Sequence, residues 1–64
     1  MDNKVFETFN HLTDTVSDCQ EDLTRFMNGN KSAGTRLRKS MQAVKQYAQH
    51  IRVQVQEQKN SVTV

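Results

Sequence analysis

Phe26-Met27-Asn28-Gly29-Asn30-Lys31 stands near the midpoint of a chain of 64 residues, and its central tripeptide decides how the two halves meet. Gly29 suits the left-handed position that follows a helix, because it has no Cβ to clash there. Asn30 is a good N-cap, since its side-chain oxygen can accept from a free N–H of the first turn. A stop and a start side by side predict one helix over about 2–28, a turn at 28–31 and a second helix over about 31–59, with 60–64 frayed. So short a connection makes the two arms antiparallel, an αα-hairpin in a single domain.

The residues outward of the turn agree. Val5, Phe9, Leu12, Val16, Cys19, Leu23 and Phe26 are spaced alternately by four and by three. Leu37, Met41, Val44, Ala48, Ile51 and Val55 repeat the pattern. That is a heptad seam in each arm, and it excludes strands, which alternate by two. Composition by itself permits disorder, with 34% hydrophobic residues and no proline. The order of the residues argues for a fold.

Phe6 and Met27 widen the apolar stripe of the first arm, and Tyr47 sits at the edge of the second. A stripe this wide exceeds what one partner helix covers, and exposed patches of that size signal association. A short chain also needs a staple, and one cysteine cannot form an internal disulfide. His11 and His50 share no metal-binding spacing with Cys19, so no metal or other cofactor is expected. Association is what remains: an all-α hairpin pairing with a copy of itself into an antiparallel four-helix bundle, with a tetramer as a further option. A long two-stranded coiled coil would have to run through Gly29 and Gly34, at about 1 kcal/mol each.

Charge divides sharply between the arms. Residues 1–30 carry six acids and two bases, a balance of −4, whereas residues 31–64 carry seven bases and one acid, a balance of +6. Such asymmetry points to nucleic acid or membrane partners. Lys31, Arg38, Lys45, Arg52 and Lys59 recur every seven residues, at heptad position e if Met41 and Ala48 are at a. Glu7, Asp14 and Glu21 recur likewise but fall at f, pointing outward. Across an antiparallel pair, the e positions of the first arm offer Phe6, Thr13, Gln20 and Met27, none acidic. The basic row is therefore expected to stay available to an external anion. The plainer reading is a solvated flank whose methylene stems cover apolar surface.

The turn sharpens the choice. Lys31-Ser32-Ala33-Gly34-Thr35-Arg36-Leu37-Arg38-Lys39 opens the second helix with four bases, where the helix dipole favours acids. Free N–H groups at a helix start bind phosphate, and the Ser32 and Thr35 hydroxyls can donate to it. Breaking a local rule four times in one stretch is what function tends to explain. Gly34 either lets a phosphate approach or lets two helices pack closely.

Gly29-Asn30-Lys31-Ser32-Ala33-Gly34-Thr35-Arg36-Leu37-Arg38-Lys39-Ser40 resembles the bacterial linker-histone-like family of chlamydiae and many Bacteroidetes. Those proteins combine an acidic-leaning helix, a similar Gly-Asn-Lys turn and a second helix with dispersed bases. The resemblance implies a cytoplasmic, nucleoid-associated protein that binds and compacts double-stranded DNA, with Lys31, Arg36, Arg38 and Lys39 as contacts. Chlamydial members continue into a long Lys/Ala-rich tail, which this sequence lacks, as do short members of the family. Binding is then expected from the folded hairpin.

Other chemistries find little support. No stretch approaches the ~20 apolar residues of a membrane span, and Met1-Asp2-Asn3-Lys4 is not the start of a signal peptide. No phosphate loop, nucleophile–base pair or carboxylate pair suggests an enzyme or a small-molecule substrate. Cys19 reads as core, His11 and His50 as surface, and Tyr47 as packing between copies rather than stacking on a base. The expectation is sequence-nonspecific binding to phosphates through Lys31, Ser32, Thr35, Arg36, Arg38, Lys39, Lys45 and Arg52. The alternative is a coiled-coil module that uses its seam to hold another protein and binds no nucleic acid.

Overall fold

A computed structural model describes residues 4–62, with side chains through residue 60. Three helices follow in order: α1 over Lys4–Asp18, α2 over Gln20–Met27 and α3 over Lys31–Val62. α1 and α2 form the first arm of an all-α hairpin and α3 the second. The Cα trace extends 54 × 15 × 11 Å, so the hairpin is one helix thick and has no second layer to close a core.

The first arm is interrupted at Cys19, a break the heptad pattern does not signal. Its backbone is still near-helical at φ −88 and ψ 0, and the ladder crosses it, Cys19 N–H donating to Thr15 O at 3.1 Å and Leu23 N–H to Cys19 O at 3.0 Å. Side-chain groups share carbonyls with the ladder around this point. The Thr15 hydroxyl donates to His11 O at 2.8 Å and the Cys19 thiol to Val16 O at 3.3 Å, and such back-bonding bends helices. At the other end, where residues from 60 are expected to fray, α3 is helical through Asn60 to Val62. No glycine or proline follows Gly34 to stop it, and Gln56 Nε2 donates to Asn60 Oδ1 at 3.3 Å along its surface. Residues 1–3, 63 and 64 lie outside the described residues.

The turn is built as its residues require. Gly29 has φ +100. Its N–H donates to Phe26 O at 2.9 Å and that of Asn30 to Arg25 O at 3.0 Å, the paired bonds of a Schellman ending. Asn30 then caps α3, its Oδ1 accepting from Ala33 N–H at 3.1 Å. Gly29→Ala should destabilise the hairpin by about 1–2 kcal/mol, lowering Tm by roughly 5–10 °C, because a Cβ is strained at that φ. Thermal melts of the two proteins check this.

The contact between the arms lies to one side of each apolar stripe. On the first arm the buried and half-buried line is Val5, Thr8, Leu12, Thr15, Cys19 and Asp22. On α3 it runs through Ala33, Leu37, Ser40, Val44, Tyr47 and Ile51, and continues into Gln54 and Gln58. Among the described residues only Cys19 and Ala33 are fully buried hydrophobics. Cys19 thus packs in the core. Tyr47 lies in the seam between its own two arms, stacked on His11 with ring centroids 5.8 Å apart. The larger apolar residues stay outside. Phe9 is 53% exposed, Leu23 47% and Phe26 49%, and Val16, Met41 and Val55 are exposed as well. Aliphatic, small and polar residues share the seam while the phenylalanines face water.

Candidate nucleic-acid interface

Seven-residue spacing sorts the surface of α3 into rows. Next to the seam run Gly34, Met41, Ala48 and Val55. Outward of them come Lys31, Arg38, Lys45 and Arg52, all exposed. On the first arm the matching pair of rows is Phe9, Val16 and Leu23, then Phe6, Thr13, Gln20 and Met27. Rows displaced in the same rotational sense on antiparallel helices emerge on the same side of the hairpin. Two contacts support this placement. The Phe26 ring lies over Gly34, so close that a Cβ there would stand 2.6 Å from Phe26 Cδ1. The opposite side is taken by Lys4, which shares a cleft with His50, Gln54 and Glu57. One side of the hairpin is therefore an open apolar strip bordered along α3 by bases.

This phase differs from the expected one. The basic row does not face Phe6, Thr13, Gln20 and Met27 across its own hairpin, because both rows sit on outer rims with the open strip between them. The row nevertheless stays free of acids: Lys31, Arg38, Lys45 and Arg52 make no ion pair among the described residues. Arg52 instead has Nη1 3.5 Å from Gln49 Oε1. Gly34 serves close helix packing, since Phe26 occupies the space over it.

The sequence-predicted contacts divide. Thr35, Arg38 and Lys39 line one shallow cleft together with Gln42, and Lys31 and Ser32 are exposed nearby. Gln42 is a residue that reading the sequence for charge missed; its position seven residues after Thr35 was the available signal. Arg36 turns the other way. Its Nε donates to Asp22 Oδ1 at 3.0 Å, and the Asp22 side chain is only 19% exposed. Arg36 joins the arms and is the one member of the predicted set already neutralised. Replacing it with alanine should cost at most about 1 kcal/mol of stability, as half-exposed pairs do. The loss of polyanion affinity should be smaller than for Arg38→Ala, which parallel melts and binding titrations of the two variants would show.

Among the described residues no group of three His, Cys, Asp or Glu side chains could hold a metal ion. None of the helices described is long and apolar enough to cross a membrane. The fold and this surface define a small all-α hairpin with most of its bases on one arm and most of its acids on the other. The family model described as histone H1-like protein Hc1 matches residues 6–61. The chain belongs to that family, and is thus a histone-like, DNA-binding protein of the nucleoid in a family of structural proteins rather than enzymes. No curated protein and no solved structure shows significant similarity to it.

Proposed function

We propose that the chain binds duplex DNA without reading sequence, through the phosphates, as a dimer whose copies meet on the open apolar strip. The observation that carries the first part is the row Lys31, Arg38, Lys45 and Arg52, exposed and without acidic partners, continuous with the cleft of Thr35, Arg38 and Lys39 at the start of α3. At 1.5 Å per residue the row is about 32 Å long, enough to follow a duplex backbone over several phosphates. Lys and Arg meeting phosphate oxygens provide affinity and position without base discrimination.

Area supports the second part. A compact monomer of 7.4 kDa would expose about 4,200 Å², whereas this chain exposes 5376 Å². The excess is roughly 1,200 Å², more than the ~800 Å² each partner buries in a standard interface. Phe9, Val16, Leu23, Met41 and Val55 make up much of what would be covered.

Titrating fluorescent duplex at several salt concentrations tests the DNA reading. Neutralising about four to six phosphates per dimer gives a slope of log affinity against log salt of about −4 to −5. Binding that ignores salt, or none at low salt, would overturn it. The apolar strip would equally receive a helix of another protein; a chain that stays monomeric, spares DNA and captures such a helix would establish that reading instead.

A further inference from the structure

We infer that the second copy lays its α3 on the first arm of this one, about a two-fold axis parallel to the helices, so that the two basic rows point to opposite sides and hold two duplexes at once. The inference rests on the self-association proposed above and adds its geometry. With helices aligned, two copies of the strip can meet in two ways. An axis across the helices sets α3 on α3, and the row Lys31, Arg38, Lys45 and Arg52 then confronts its own image at close range. Phe6 would reach Met27 in that arrangement, but at the expense of opposing two rows of like charge in a water-poor margin, which is unfavourable. An axis along the helices sets α3 on α1 and α2, and no base meets a base.

The register of the hairpin makes the second arrangement specific. The pairs His11–Tyr47 and Asp22–Arg36 stand level across the hairpin, and in each the residue numbers sum to 58. A two-fold parallel to the helices preserves levels. Arg52 then comes to Phe6 of the second copy, Lys45 to Thr13, Arg38 to Gln20 and Lys31 to Met27. Phe6 is 67% exposed and Met27 75%; these two rim residues receive the aliphatic stems of a lysine and an arginine, with a guanidinium over the Phe6 ring. Inside the rim, Phe9 falls beside half-buried Ala48 of the second copy and Val16 beside Met41, so bulk meets small volume. The stems cover the seam while the charged heads remain in water, four on each of two opposite sides. A dimer built this way bridges duplexes, whereas α3 on α3 would make one wide face for a single duplex.

Cross-linking without DNA tests the topology apart from the function. In a Cys19→Ala background, a chain carrying Thr13→Cys is mixed with one carrying Lys45→Cys and mildly oxidised. The mixed disulfide should exceed the one formed when Lys45→Cys is mixed instead with Arg38→Cys, the pair that α3 on α3 would bring level, by at least about tenfold, the ratio that 1.4 kcal/mol between arrangements gives. Gln20→Cys with Arg38→Cys gives a second pair one heptad away, should the first pair fail to fold by circular dichroism. Lys45→Cys cross-linking to Arg38→Cys as readily, or no cross-link from either pair, would overturn the proposal. The covalent dimer is then offered two duplexes of different colour, one on beads. Capture of the second colour supports bridging, and capture of only the immobilised one overturns it. A mixed disulfide that binds no DNA, when the unsubstituted chain binds none either, leaves the topology standing and removes the DNA reading instead.

Discussion

Phe9→Asp together with Leu23→Asp is expected to convert the assembly to monomer and to melt much of the helix with it. Each copy contributes two large side chains to the strip, so four are lost per dimer. At about 1.5 kcal/mol each, the low end for such burial, the loss is ~6 kcal/mol, or roughly 10⁴-fold in the dissociation constant. Placing a carboxylate at each position adds a desolvation penalty on top. Sedimentation at micromolar concentration should show a dimer for the parent and a monomer for the variant. The helical signal should become concentration-dependent, since among the described residues the hairpin alone buries only the hydrophobics Cys19 and Ala33. A variant that sediments as the parent does, with its helix intact, would mean that the strip has no partner.

Reversing the charge of Arg38 and Lys39 to glutamate should have the largest effect on DNA. Both line the cleft with Thr35 and Gln42, and neither makes an ion pair among the described residues, so the folded hairpin loses nothing it uses. Four phosphate contacts vanish per dimer, and each removes about 0.9 from the salt slope. The slope should shrink from about −4 or −5 towards −1, with affinity at low salt falling by about 100-fold or more. Circular dichroism should show the helix retained. An unchanged slope would place the phosphates elsewhere on the molecule. Arg36 is left out of this variant because its loss acts through Asp22, on the hairpin itself.

Much of the molecule was readable locally. Gly29 with φ +100 and Asn30 capping Ala33 N–H are properties of two adjacent residues, and a heptad alternation held over each arm permits only helix. The division of charge into an acidic arm and a basic arm follows from order alone. The break at Cys19 was less visible, because it is a small departure of one residue's dihedrals from the helix, which spacing does not reveal. The Arg36–Asp22 pair was hidden for a related reason. Four bases in nine residues look alike in a sequence, but 100° per residue turns one of them towards Asp22.

The basic turn and the antiparallel arms, then, were determined by sequence, through caps, glycine and periodicity that act over a few residues. Which side of each apolar stripe faces inward was decided only in three dimensions. Each stripe spans two rows, and a hairpin can bury just one of them. The chain buries the row of Val5, Leu12 and Cys19, joined by Thr8 and Thr15, because Ala33 lets the arms approach there and Phe26 closes over Gly34. That choice leaves Phe9, Val16 and Leu23 in water beside a row of bases, an arrangement no spacing rule predicts, since it depends on how α3 is rotated as it leaves the turn.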